Sequence, residues 1–222
     1  MAFRAAIFDL DGVLVDSARL HFVAWKRIAD ELGIAFDEHD NEALKGVDRM
    51  GSLDHILTLG NISLDLSAKE ELAARKNGYY LDALATMSDA DILPGATALL
   101  AGARAAGLSL GVASASRNAT MVLERAGLLG SIDFVADAAK VARSKPAPDI
   151  FLACAAGLGV AATACVGFED AAAGVTAIKA ADMVAIGIGD AAILAEADLV
   201  FASTAAVDLD QVLRLAPTAS QV

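Results

Sequence analysis

Six short apolar runs recur along the chain without polar alternation inside them: AAIFDL (5–10), LSLGVAS (108–114), DFVAD (133–137), ACVGF (164–168), MVAIGIG (183–189) and DLVFAS (198–203). Strict alternation marks a strand with one wet face, so these runs predict parallel strands covered on both faces. Helical stretches separate them, and strand alternating with helix predicts an α/β fold with a doubly wound parallel sheet, the Rossmann-like arrangement. Ser116 precedes RNATMVLERAG, whose apolar Met121, Val122 and Leu123 lead to Gly127 at a left-handed cap position. A helix is therefore expected directly after the strand that ends near Ser114. Such a junction aims unpaired backbone N–H groups at the C-terminal rim of the sheet, which suits phosphate.

Residues 18 to about 90 break this rhythm, because they contain helical patterns such as ARLHFVAWKRIADELG and SAKEELAARKNGYYLDAL but no convincing strand. Ser67 followed by Glu70 fits a capping box and places a helix start there. An all-helical insert between the first two strands leaves and re-enters the sheet at its C-terminal rim, where it can form a cap. The expected division is an α/β core of residues 1–16 and 91–222 and a helical cap domain of residues 17–90. The uncharged stretch Ile150–Phe168 approaches the length of a membrane span. Its apolarity is mostly alanine and glycine, its GLG at 157–159 marks a helix end, and ACVGF reads as a separate buried strand. APTASQV at the end of the chain is expected to fray.

Composition narrows the partners. The 222 residues, 56% hydrophobic, can supply a substantial core. With 29 acidic against 17 basic side chains, a net charge of -12 argues against nucleic acid or an anionic membrane surface as partner. An anionic small ligand would need the few basic residues concentrated at one place. Cys154 and Cys165 lie in apolar surroundings without a CxxC and read as core residues. MAFRAAIFDLDG has no signal-peptide layout, so a cytoplasmic location is expected.

Asp9 and Asp11 stand where the first apolar run ends, and Gly12 then permits a tight exit. Neighbouring buried carboxylates repel one another and ask for a cation. The bland alternative is a surface loop whose aspartates cap a helix. The pair is not alone: ASAS (113–116) ends the second run, KPAPD (145–149) supplies Lys145, and GFEDAAAG (167–174) places Glu169 and Asp170 at another strand end. Asp9, Asp170 and Glu169 form an oxygen-rich set that suits Mg²⁺.

These four motifs, in this order and each at a predicted strand end, resemble the haloacid dehalogenase-like superfamily over essentially the whole chain. The resemblance implies that Asp9 is a nucleophile forming an aspartyl phosphate and that Asp11 is the general acid/base. It implies Mg²⁺ held by Asp9, the Asp11 backbone carbonyl and Asp170, with Glu169 in or near the shell, and a transferring phosphate bound by Ser114, Ala115 and Lys145.

Within the superfamily the chain is most similar to the β-phosphoglucomutase family, on DGVLVDSARLHFVAWK (11–26), LKGVDRMGSL (44–53), ARKN (74–77), ASASRN (113–118) and SKPAPDIF (144–151). This resemblance implies that Arg49, Ser116, Arg117 and Asn118 bind a distal phosphate and that Gly46, Val47 and Ser52 line a sugar pocket. His21 and Lys76, with Ser17, would couple cap closure to Asp11. The implied substrate is a small phosphorylated sugar and the implied chemistry is β-D-glucose 1-phosphate to glucose 6-phosphate through β-glucose 1,6-bisphosphate, in a monomer. The alternative is a sugar-phosphate phosphatase, since water or a sugar hydroxyl can attack the same phosphoenzyme. A metal-binding module without catalysis would be expected to lack Asp9 or Lys145, and both are present.

The chain departs from that family's pattern. Arg117 replaces a lysine, Ser17 a threonine, Asp48 a serine, and Met50 and Gly51 replace acidic residues. Asp48 either weakens distal-phosphate binding or faces solvent. Taken singly, Lys45, Arg49 and Lys76 also read as solvated helix charges, His21 as a surface histidine and Trp25 as cap core.

Overall fold

The computed structural model describes residues 2–216 and contains a six-stranded, all-parallel sheet. Strand β1 (Ala5–Phe8) pairs with β2 (Ser109–Val112) on one side and β4 (Cys165–Glu169) on the other. Beyond β2 lies β3 (Phe134–Val135), and beyond β4 lie β5 (Val184–Ile188) and β6 (Leu199–Phe201), giving the order β3-β2-β1-β4-β5-β6. All six apolar runs form strands. The winding direction reverses between β1 and β4, which opens a crevice beyond their C-terminal ends.

Both faces of the sheet are covered, as the continuous apolar runs require. Ala6, Phe8, Val112, Phe168 and Ile186 pack with residues of α5 (Ala96–Ala105), α6 (Ala119–Arg125) and α9 (Leu209–Arg214), and the Phe8 and Phe168 rings stack 4.7 Å apart. The alternate residues Ala5, Ile7, Cys165 and Ala185 face α7 (Asp149–Gly157) and α8 (Ala172–Ala180). Cys154 and Cys165 are both free and buried in this second layer.

Four of the helices between β1 and β2 form the insert, α1 (Ala18–Glu31), α2 (Glu38–Glu42), α3 (Arg49–Leu59) and α4 (Leu66–Leu84), ahead of α5 of the core. Trp25, Ile28, Phe36, Leu53, Ile56 and Leu72 give the insert an apolar cluster of its own. Leu20, Ala24, Tyr80 and Leu84, nearer its root, join the main core instead. The chain enters and leaves through paired segments: Val15 bridges Ile92, the Asp16 amide donates to the Asp91 carbonyl at 2.8 Å, and the Leu93 amide donates to the Leu14 carbonyl at 3.0 Å. These links hold the insert over the rim.

Three local expectations need adjustment or fall outside view. Helix α6 begins at Ala119, because Ser114 Oγ accepts from the Ser116 amide and Ser116 Oγ accepts from the Asn118 amide, holding 114–118 in a turn. Helix α4 begins at Leu66, where the Asp65 carboxylate accepts from the Ala68 amide at 2.8 Å. Ser67 and Glu70 therefore sit within its first turns and form no capping box. Residues 217–222, most of the stretch expected to fray, lie outside the described residues. The apolar stretch 150–168 divides into α7, a turn with Gly159 at φ +67° and β4, and among the described residues no helix is long and apolar enough to cross a membrane.

Candidate active site

Strand β1 delivers Asp9 to the rim: its amide still donates to the Phe168 carbonyl at 2.9 Å, one residue past the strand. Lys145, from the segment between β3 and α7, is fully buried and donates from Nζ to Asp9 Oδ1 at 2.6 Å and to Glu169 Oε2 at 2.7 Å. Burial pulls the lysine toward neutrality, but the charges of Asp9 and Glu169 outweigh it and raise its pKa. Gly12 turns the chain at φ +90°, and a Cβ there would lie 2.3 Å from Asp170 Oδ2. Only glycine lets β1 and Asp170 approach this closely.

Carboxylate oxygens of Asp9, Glu169 and Asp170 lie within 4.8 Å of one another. Burial, then the charge of Asp9, pushes Asp170 up to about 7, and the same two causes raise Glu169 against the opposing pull of Lys145. Asp9, Glu169 and Asp170, with Asp11 adding to the repulsion on Asp170, thus outnumber Lys145. Such a hard-oxygen set, in excess of its cation, fits a divalent ion such as Mg²⁺. Both Glu169 oxygens already have protein partners, Lys145 and the Ala171 amide, so Glu169 borders the cluster while Asp170 leaves its carboxylate open to it.

Asp11 lies in a different setting. Ser17, at the head of α1, donates its hydroxyl to Asp11 Oδ1 in a short hydrogen bond, and Ser114 Oγ lies 3.4 Å from Oδ2 as a second donor. Burial first and the charge of Asp9 second push Asp11 up to about 6, so its proton is exchangeable near neutral pH. His21 Nε2 lies 3.9 Å from Asp11 Oδ1, and Lys76 Nζ lies 2.8 Å from His21 Nδ1. Burial, then Lys76 and Arg49, hold His21 well below its ordinary pKa. A neutral ring accepting from the lysine at Nδ1 carries its proton on Nε2, toward Asp11. Lys76 is buried, unlike an ordinary helix-surface lysine, whereas Lys45 does pair with a surface neighbour, Glu42, at 2.9 Å.

A cavity of about 500 Å³ lies between sheet rim and insert. Asp9, Asp11, Ser114, Ala115 and Asp170 line its core side, and Gly46, Val47, Arg49 and Ser52 its cap side, with His21 and Lys76 between them. Ser116 and Arg117 reach it from the turn before α6, next to Asn118. Lys45, Arg49, Lys76 and Arg117 bring four of the chain's 17 basic residues to its wall. This is the concentration of positive charge that an anionic ligand requires of an acidic protein. Gly46, at φ +74°, supplies a backbone conformation that other residues rarely adopt where the cap loop passes Lys145.

Four residues gain parts that their sequence positions did not announce. Asn77 Oδ1 accepts from Arg49 Nη2 at 2.7 Å and from Asn118 Nδ2 at 2.9 Å, so it ties cap to core. Tyr80 packs its ring 4.1 Å from His21, and its spacing of four from Lys76 along α4 was the available signal. Asp48 neither faces solvent nor leaves its charge free: it caps α3 through the Met50 and Gly51 amides, and Ser144 Oγ donates to its other oxygen. Burial favours the protonated acid, but Ser144, the two amides and Arg117 together lower the Asp48 pKa.

Comparison with known proteins agrees with this layout. The family model for haloacid dehalogenase-like hydrolases matches residues 3–182. β-Phosphoglucomutase of Bacillus subtilis is 41% identical over 209 residues, covering 93% of this chain and 92% of that protein. Fructose-1-phosphate phosphatase YqaB of Escherichia coli is 32% identical over 188 residues, covering 84% and 96% respectively. The crystal structure of β-phosphoglucomutase from Clostridium difficile superposes with a TM-score of 0.93 at 42% identity, covering 96% of each chain. With its parallel sheet, helical insert and four rim motifs in place, the chain belongs to the haloacid dehalogenase-like hydrolase family.

Proposed function

We propose that the protein is a β-phosphoglucomutase, interconverting β-D-glucose 1-phosphate and glucose 6-phosphate through β-glucose 1,6-bisphosphate. The observation that carries this reading is one cavity lined by Asp9 and Ser114, with Lys145 buried behind Asp9, and also by Arg49 and Arg117, which supports a phosphate site at each end. A phosphatase needs the first alone; a mutase must also hold a second phosphate while a sugar hydroxyl, rather than water, attacks.

In this reading an Asp9 carboxylate oxygen bonds to phosphorus as the bond from phosphorus to the sugar oxygen breaks. Asp11 gives its proton to that oxygen. In the other direction Asp11 takes the proton of the C6 hydroxyl of β-glucose 1-phosphate as that oxygen accepts the phosphoryl group from Asp9. The bisphosphate then turns round, its C1 phosphoryl passes to Asp9, and glucose 6-phosphate leaves with the proton returned by Asp11. Asp9, Asp170 and the Asp11 carbonyl would hold Mg²⁺, which would offset repulsion between the anionic nucleophile and the phosphate. Lys145 contributes a fixed positive charge to the same end, while Ser114 and the Ala115 backbone orient the transferring group. Residues 17–90 act as the cap that keeps water out, over a core of residues 1–16 and 91–222.

The test incubates the protein with Mg²⁺, β-glucose 1-phosphate and catalytic bisphosphate, and measures glucose 6-phosphate and free phosphate together. Glucose 6-phosphate is the expected main product. Mainly free phosphate would favour the phosphatase reading, for which the Escherichia coli relative is the precedent in name.

A further inference from the structure

We propose that Asp48 is a positioning residue that latches the closed cap to the core through Ser144, holding Arg49 and Lys145 in register. The proposal rests on the mutase reading for the roles of Arg49 and Lys145, but the latch itself rests on geometry. Asp48 is the N-cap of α3, with Oδ1 accepting from the Met50 amide at 2.8 Å and the Gly51 amide at 3.0 Å. Its second oxygen, Oδ2, accepts from Ser144 Oγ at 2.5 Å, across 96 residues of sequence. Each partner of this bond is the chain neighbour of a residue that faces phosphate in the proposed reaction: Arg49 follows Asp48, and Lys145 follows Ser144.

The chemistry calls for aspartate at this position. A serine here, as the β-phosphoglucomutase pattern has it, offers one oxygen on a short stem, enough to cap α3. A carboxylate offers two oxygens further from the backbone, so one can cap the helix while the other crosses to the core. Committing both oxygens also answers the electrostatic objection to an acid beside a phosphate site. The charge of Asp48 is engaged by two amides, a hydroxyl and the field of Arg117. Arg117 thereby gains an anchoring charge that a neutral residue at 48 would not supply.

A bond between cap and core favours the closed arrangement, and apparent affinity scales with the fraction of protein that is closed. The test compares Asp48→Ser, which keeps a helix cap and loses the crossing oxygen, with Ser144→Ala, which leaves Asp48 and its cap intact. Each variant is expected to raise the KM for β-glucose 1,6-bisphosphate roughly five- to tenfold while kcat changes less than twofold, the loss of one partly screened, charge-assisted hydrogen bond. The double variant should be no worse than either single one, the mark of a shared interaction. Small-angle X-ray scattering of the ligand-free proteins should show both single variants more expanded than wild type. Additive KM effects, or scattering profiles that match wild type, would overturn the latch. Scattering needs no turnover, so expanded variants of a protein that yields only free phosphate would sink the mutase reading and leave the latch standing.

Discussion

Replacing Lys76 by methionine tests the electrostatics of the site through stability rather than activity. The lysine is 3% exposed, with Nζ 2.8 Å from His21 Nδ1 and 4.7 and 5.0 Å from the ring centres of Trp25 and Tyr80. Burial, and after it the charge of Arg49, lowers its pKa from 10.5 to about 7, against a smaller opposing pull from Asp11. Below about pH 7 the folded and unfolded chains both carry the proton, so the folded state bears the full cost of a buried ammonium. Between pH 7 and 10.5 the unfolded chain binds more protons than the folded one, so stability rises with pH by up to about 1.4 kcal/mol per unit. From pH 6.5 to 9.5 this residue alone adds about 3 kcal/mol to the wild type. Methionine fills a similar unbranched shape without the charge and removes that rise. Urea unfolding of wild type and Lys76→Met at both pH values checks it, because groups that do not feel Lys76 cancel in the difference and both pH values lie above the range where His21 and Asp11 mainly titrate. The variant's stability relative to wild type should fall by about 3 kcal/mol between the two pH values. Parallel pH dependences would refute a buried, depressed Lys76.

Asp9→Asn should abolish phosphoryl transfer, because a neutral amide is a poor nucleophile; intact-mass detection of a phosphoenzyme, or retained turnover, would contradict the assignment. Arg49→Ala should lower kcat/KM for mutase turnover at least about tenfold more than for hydrolysis of a small aryl phosphate, which carries no distal phosphate, and equal losses would argue against a distal role.

The fold was legible in the sequence because burial on both faces leaves a mark that pairing alone does not. Strands β1, β2, β4 and β5 are nearly continuous apolar runs, and each appears where its run predicts. Even the two-residue β3 shows through DFVAD. The helical insert was visible as the place where that rhythm stops. What could not be read were contacts between distant segments made by ordinary polar residues. The link from Asn77 to both Arg49 and Asn118 and the link from Asp48 to Ser144 join cap to core with side chains that, one at a time, look like solvated surface. The start of α6 was misplaced for a related reason: two serine hydroxyls hold a turn with hydrogen bonds that a periodicity of apolar residues does not register.

Lys145, buried behind Asp9, and Arg49, on the cavity wall, are held in opposite ways, and this predicts which of them yields to substrate. Lys145 is fixed by two carboxylates in full burial, so its position does not depend on a ligand. Arg49, by contrast, donates to the neutral Asn77 amide at 2.7 Å, in a setting where burial and the charge of Arg117 already disfavour its own charge. A phosphate dianion forms a stronger charge-assisted bond with guanidinium than an amide oxygen does, so it can take Arg49 at little cost. Asn77→Asp keeps the shape but turns that weak partner into a competitor for the phosphate. KM for the bisphosphate should rise about tenfold, with thermal stability equal to or above wild type because Arg49 gains a countercharge. Asn77→Ala separates the two effects, since it removes the tie without adding a rival anion and should shift KM less. If Asn77→Asp binds bisphosphate as tightly as wild type, Arg49 is not the group that must change partners when the sugar phosphate enters.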